Sequence, residues 1–184
     1  MIAQIGKLAP NFDLPSTKDA TGVTDLGRRL ALEDYRKSWL VFFFYPLDFT
    51  FVCPTEITAL SDRYDEFQSY GCEVLGCSTD SIYSHWEWIN TPREKNGIAG
   101  LRYPLVADFT KQTARSYGVL NEDTGAAQRG LFIVDPNGIL KFAMVTDDNV
   151  GRSVDETLRV LLALQTGGLC AAGWRPGKAT LQLA

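Results

Sequence analysis

Phe42-Phe43-Phe44-Tyr45-Pro46-Leu47-Asp48-Phe49-Thr50-Phe51-Val52-Cys53-Pro54-Thr55-Glu56 joins a bulky apolar run to a proline-bounded loop and a cysteine. The run from Trp39 to Tyr45 is continuously apolar and aromatic, as in a strand covered on both faces. Pro46 ends it. Pro54 suits the first position of a helix, where its missing N–H is not needed, and Ile57, Leu60, Tyr64 and Phe67 follow at helical spacing. A strand thus passes through a proline-containing loop and delivers Cys53 to the first turn of a helix that the spacing predicts over 53–70, stopped by Gly71.

That placement bears on reactivity. The thiolate is the nucleophilic form of cysteine, and a free thiol of pKa ~8.5 is only about 3% ionised at pH 7. Unpaired N–H groups and the positive dipole end of a helix start stabilise an anion there, as would a nearby arginine.

Beyond Gly71, Glu73 to Thr79 reads as the next strand, which makes a strand–helix–strand crossover. Ser81 can cap a second helix carrying Ile82, Trp86 and Ile89, broken near Thr91-Pro92 and resuming weakly to Asn96. Pro104 to Asp108 reads as a short strand and Lys111 to Tyr117 as a short helix ended by Gly118. Arg129 to Asp135, the turn Pro136-Asn137-Gly138 and Ile139 to Thr146 form a hairpin. Ser153 and Glu156 make a capping box for a last helix reaching Gln165, ended by Gly167-Gly168. Upstream, residues 1–38 read as turns, with one helical turn from Leu30 to Tyr35. Alternating strand and helix, then an antiparallel hairpin, then a helix predicts an α/β fold with a mixed central β-sheet.

The 184 residues are enough for one compact domain without covalent staples. A net charge of −4, with no cluster of lysine and arginine, argues against nucleic acid as the main partner. No stretch approaches the ~18 apolar residues of a membrane span, and Met1 to Lys7 lacks the features of a signal peptide, so a cytoplasmic location is the expectation. Cysteines 53, 72, 77 and 170 are too sparse for a secreted disulfide framework. With no C-x-x-C and His85 as the sole histidine, neither a zinc site nor a C-x-x-C thiol–disulfide oxidoreductase is expected.

Pro46, Thr50 and Cys53 form P-x-x-x-T-x-x-C, which with Phe44-Tyr45 before it and Pro54-Thr55-Glu56 after it resembles the active-site signature of the peroxiredoxins. Gly168-Leu169-Cys170 followed by Gly173-Trp174-Arg175-Pro176-Gly177 is similar to the resolving-cysteine segment of their typical two-cysteine class, the bacterial alkyl hydroperoxide reductase peroxidase subunit and thioredoxin peroxidase type. The resemblance runs from about Gly6 to Leu181. It implies a thioredoxin-like fold, with a peroxidase domain over 1–165 and a C-terminal arm over 166–184. It also implies a thiol-specific peroxidase that reduces hydrogen peroxide and organic hydroperoxides and needs no cofactor. In that reading Cys53 becomes a sulfenic acid and condenses with Cys170 of the other subunit. The disulfide is recycled by thioredoxin or a flavoprotein disulfide reductase, and the homodimer assembles into a ring, a decamer. An oligomeric holdase chaperone or a redox-signalling partner is the non-enzymatic alternative that the family offers.

Ionisation alone makes a poor peroxidase. Raising the thiolate fraction from about 3% to nearly 100% gains at most ~30-fold, and a lower pKa weakens the nucleophile. The rest must come from donors on the peroxide oxygens, where charge builds as the O–O bond breaks. The candidates are the Thr50 hydroxyl, backbone N–H groups around Val52 and Cys53, and an arginine. Arg129, in Gln128-Arg129-Gly130-Leu131-Phe132, is similar to the family's catalytic arginine, and Arg152 to its second one. Glu56 can hold either guanidinium. Pro46 reads as a shield against bulk water, while Cys72, Cys77 and His85 read as structural. Asn96-Gly97-Ile98-Ala99 stands where overoxidation-sensitive members carry Gly-Gly-Leu-Gly, and their Tyr-Phe tail motif is missing. Both departures imply looser packing over the active-site helix and resistance to sulfinic acid formation.

Overall fold

A computed structural model describes residues 2–182 and places seven strands and five α-helices among them. The strands are β1 (Asp13–Ser16), β2 (Arg28–Ala31), β3 (Trp39–Phe44), β4 (Cys72–Ser78), β5 (Leu105–Ala107), β6 (Arg129–Val134) and β7 (Leu140–Thr146). The helices are α1 (Cys53–Asp62), α2 (Tyr64–Ser69), α3 (Ile82–Asn90), α4 (Gln112–Ser116) and α5 (Val154–Gln165). All seven strands form one sheet in the order β2-β1-β5-β4-β3-β6-β7. The β3–β4 and β4–β5 pairs are parallel and the rest antiparallel, which is the mixed sheet expected.

Strand β3 lies inside the sheet, and its aromatic run packs both faces. Phe42 stacks on Phe12 with ring centroids 4.7 Å apart and meets Tyr117 edge-on at 5.2 Å, while Phe44 meets Phe132 edge-on at 5.9 Å. On the other face Phe43 meets Tyr103 at 5.9 Å and Tyr45 meets Trp88 at 5.8 Å. Burying one such side chain stabilises the fold by about 1.5–3 kcal/mol, so these rings anchor the point from which the Cys53 loop departs. Gly76 on β4 lets Phe43 approach, since a Cβ there would come within 2.9 Å of its ring.

Two local expectations are corrected. The predicted helix over 53–70 is two helices, because Arg63 leaves the helical region (φ −109°, ψ 17°). There the Ser61 hydroxyl accepts the backbone N–H of Arg102 (3.1 Å), and the Arg63 side chain turns to Glu66 (2.6 Å). Ile57, Leu60, Tyr64 and Phe67 are all buried across the break, so the apolar period runs through it unaltered. The N-terminal 38 residues contain two strands as well as turns. Each is four residues long, and β1 includes Pro15, so neither shows an alternation to read.

The described residues fall into two compact units, one up to Arg152 and one from Ser153 onward. In the second, the Ser153 hydroxyl accepts the Glu156 N–H (3.2 Å) at the start of α5. Trp174 is buried, its Nε1–H donates to the Lys178 carbonyl (2.9 Å), and Arg159 on α5 donates to the Trp174 carbonyl (3.0 Å). Among the described residues no helix is long and apolar enough to cross a membrane.

Candidate active site

Cys53 is the first residue of α1 and has no exposed surface. The opening N–H groups of a helix have no intrahelical acceptor and point to where an anion at its start would sit. The antiparallel pairing of β3 with β6 brings the second component. In that register Phe43 faces Leu131, so two residues further along Arg129 stands beside the end of β3, where the chain enters the Cys53 loop. Arg129 Nη1 donates to the Cys53 sulfur (3.3 Å) and to Glu56 Oε2 (2.6 Å), and its Nε donates to the Asp148 carbonyl (2.8 Å).

Glu56, one turn along α1 from Cys53, joins the two arginines. Its Oε1 accepts from the Arg152 backbone N–H and Nε (both 2.7 Å), and its Oε2 from Arg152 Nη2 (3.1 Å) as well as Arg129. Arg152 Nη1 donates to the carbonyls of Phe44 (2.8 Å) and Gly130 (2.6 Å), tying the ends of β3 and β6 together. Its guanidinium lies 5.3 Å from the centroid of the Phe43 ring. The side chains of Arg129, Arg152 and Glu56 are each at most 4% exposed.

The charges of this cluster set its chemistry. Two guanidinium groups and one carboxylate leave one positive charge uncompensated in a buried site. The Cys53 sulfur touches it directly and, as a thiolate, brings the sum to zero. For Arg129, burial opposes the charge. Its bond to the Cys53 sulfur and the charges of Cys53 and Glu56 outweigh that, holding the guanidinium above its ordinary value.

The loop between β3 and α1 is held from outside. Asp48 is buried in its middle, and its carboxylate accepts from the Tyr45 hydroxyl (2.9 Å) and pairs with His85 Nδ1 (2.8 Å). The Asp48 N–H donates to Asp80 (2.9 Å). Phe49 takes a left-handed conformation (φ 56°), which costs a non-glycine residue on the order of 1–2 kcal/mol and persists only where its surroundings enforce it. The Thr50 hydroxyl donates to the Leu47 carbonyl (2.9 Å) and does not cap α1, whose N-cap residue is Val52, with no capping side chain. Pro46 is half-buried at the start of the loop.

The structure therefore brings Cys53, Glu56, Arg129 and Arg152 into one hydrogen-bonded cluster and sets Pro46 and Thr50 in the loop leading to it. Cys170 belongs to the second unit, where it is half-buried past the end of α5 with its sulfur 3.6 Å from the Ala163 carbonyl and 3.5 Å from the Thr166 hydroxyl. Sequence reasoning missed Asp48, Asp80 and Asn96 as holders of the loop, while His85, read as structural, is buried against Asp48 and the Val106 carbonyl. An aspartate among apolar residues between Tyr45 and Thr50, and an asparagine where sensitive relatives carry glycine, were the available signals. Cys72 and Cys77 are buried on β4, and burial pushes both thiols above their ordinary value. Among the described residues no group of three or more His, Cys, Asp or Glu side chains could hold a metal ion.

A sequence profile of the AhpC/TSA family matches residues 5–143. The chain is 54% identical over 179 residues to the putative peroxiredoxin YkuU of Bacillus subtilis, covering 96% of this chain and 97% of that protein. It is 52% identical over 185 residues to peroxiredoxin-2 of Mus musculus, covering 98% and 90%. Among solved structures, reduced 2-Cys peroxiredoxin of Plasmodium vivax superposes with a TM-score of 0.89 at 38% identity, covering 97% of this chain and 92% of that one. AhpC of Mycobacterium tuberculosis superposes with a TM-score of 0.81 at 39% identity, covering 95% and 100%.

Proposed function

The chain belongs to the AhpC/TSA family and is a peroxiredoxin, a thiol-dependent peroxidase of thioredoxin-like fold, and from that premise we propose that Cys53 is the sulfur that attacks the peroxide. The observation that carries this reading is the buried cluster in which Arg129 touches Cys53 and one positive charge awaits a thiolate. The substrates are hydrogen peroxide and small organic hydroperoxides, in keeping with a sulfur that has no exposed surface.

The Cys53 thiolate attacks one peroxide oxygen and forms an S–O bond as the O–O bond breaks. The departing oxygen takes up a proton and leaves as water or alcohol, and Cys53 becomes a sulfenic acid. Arg129, the N–H groups of Val52 and Cys53, and the Thr50 hydroxyl once it turns from the Leu47 carbonyl are the donors that meet the charge growing on the oxygens. Glu56 and Arg152 position Arg129. Pro46 restrains the loop and limits access of water.

The Cys170 thiol then condenses with the sulfenic acid, releasing water and leaving a disulfide. Residues 166–184 form the arm that presents Cys170, which comes from the second subunit of a homodimer, and dimers assemble into a decameric ring. Two electrons from thioredoxin or a flavoprotein disulfide reductase return both thiols. All four cysteines are free, which suits a reducing compartment such as the cytoplasm.

Non-reducing electrophoresis after one equivalent of peroxide tests the cycle on the native protein, Cys53→Ser and Cys170→Ser. A disulfide-linked dimer is expected for the native protein and for neither variant. A dimer band that survives Cys53→Ser would assign the attacking sulfur elsewhere.

A further inference from the structure

Cys53 has no exposed surface, yet a disulfide requires two sulfurs about 2.05 Å apart. The loop that covers Cys53 in the peroxide-reducing arrangement must therefore open before a second thiol can reach it. What holds the loop closed sets how the two steps are balanced.

One stretch of chain grips three consecutive residues of this loop. Asp80, just before α3, accepts the Asp48 N–H, and His85 on α3 pairs with the Asp48 carboxylate. The Phe49 ring lies 5.8 Å from that of Trp88. Asn96, just past α3, donates from Nδ2 to the Thr50 carbonyl (2.7 Å) and more distantly to that of Phe49 (3.4 Å). Both acceptors are carbonyl oxygens, so only the NH₂ end of the carboxamide can face them.

Asn96 is itself held in place. Its own carbonyl accepts Trp88 Nε1–H (2.8 Å), and its backbone is left-handed (φ 61°). At Gly97 a Cβ would stand 1.9 Å from the Thr91 carbonyl oxygen, so the next residue admits no side chain. The turn is thus fixed at two points, and it aims one donor at the carbonyl of Thr50, three residues before Cys53.

We infer that Asn96 is a positioning residue for Cys53: by holding the Thr50 carbonyl, its carboxamide keeps the Thr50–Cys53 turn in the peroxide-reducing arrangement and slows its opening toward the disulfide. The inference rests on the proposed role of Cys53. It runs against the looser packing expected of Asn96-Gly97-Ile98-Ala99, since it assigns to the Asn96 side chain a constraint that a glycine there would lack. Opposite effects on two steps follow. Sulfenic acid formation uses the closed turn, whereas condensation of the sulfenic acid with a thiol, which forms the S–S bond and releases water, uses the open one.

Stopped-flow tryptophan fluorescence after mixing the reduced full-length protein with hydrogen peroxide separates the second-order peroxide step from the first-order disulfide step. The variants are Asn96→Gly and Asn96→Asp. Glycine accepts the left-handed backbone without strain and aspartate tolerates it, but neither offers the donor. In both, the disulfide step should quicken about fivefold and the peroxide step slow two- to fivefold, changes on the scale of one net hydrogen bond. If the backbone alone mattered, Asn96→Gly would match the native protein, and that result overturns the inference. So does a parallel fall of both rate constants with the melting temperature. A native protein without a Cys53-dependent peroxide phase would instead overturn the reading beneath it.

Discussion

Arg129 Nη1 lies 3.3 Å from the Cys53 sulfur, and the same nitrogen donates to Glu56 at 2.6 Å. One guanidinium edge is thus shared between a carboxylate and a sulfur, all three groups almost fully buried. Replacement by lysine keeps the charge but removes the planar fork that reaches Cys53, Glu56 and the Asp148 carbonyl together. Arg129→Lys should lower the second-order rate constant for hydrogen peroxide by about 10²-fold, the scale of losing one oriented donor at a developing charge. Stopped-flow kinetics would measure it, and a fall of less than about threefold would contradict the assignment.

Glu56 neutralises one of two buried guanidinium groups. Glu56→Gln leaves both positive charges facing a neutral amide, and removing one partner of a buried pair costs about 3–5 kcal/mol. The thermal midpoint should fall by about 6–20 °C, at ~2–4 °C per kcal/mol for a chain of this length. Calorimetry on the reduced protein checks this. An unchanged midpoint would mean that Cys53 or solvent supplies the compensation.

Thr50 occupies a position where hydroxyl and methyl can be separated. Its hydroxyl holds the Leu47 carbonyl at 2.9 Å and lies three residues before Cys53. Thr50→Ser should retain most of the peroxide rate, whereas Thr50→Val, of the same shape without a donor, should lose ten- to a hundredfold. Equal activity of the two variants would remove the hydroxyl from the mechanism.

Cys72 and Cys77 carry the opposite expectation. Burial holds both as neutral thiols above their ordinary value, so mass spectrometry after brief iodoacetamide treatment at pH 8 should find them unlabelled until the protein is unfolded in urea. The same shift gives the sign of a pH effect. The folded chain retains protons that the unfolded chain releases above a pH of about 8.5, so these thiols stabilise the fold fully below that pH and progressively less as it rises. Denaturation midpoints that increase from pH 8 to 10 would refute it.

Much of this architecture was legible because short-range rules governed it. The unbroken apolar run of β3, Pro54 at the start of α1, the Asp135–Ile139 turn and the Ser153 cap each depend on neighbours a few residues away. Arg63 shows where such rules stop. No glycine or proline marks the break between α1 and α2, and the buried stripe passes through it; beside the break the Ser61 hydroxyl accepts the backbone N–H of Arg102, 41 residues on, a contact that no local pattern announces. The strands β1 and β2 escaped for a related reason, being too short for a pattern and stable only as partners of each other and of β5.

That Cys53 opens a helix after a buried strand follows from local sequence, because dihedral preference, the proline at the helix start and apolar spacing act over a few residues. Only the tertiary structure decided that Arg129, 76 residues away, would meet that sulfur and that Asp48, Asp80, His85 and Asn96 would hold its loop. Strand order and register place these side chains, and both are set by how the whole sheet buries its faces. That is a property of many residues at once, and no single motif carries it.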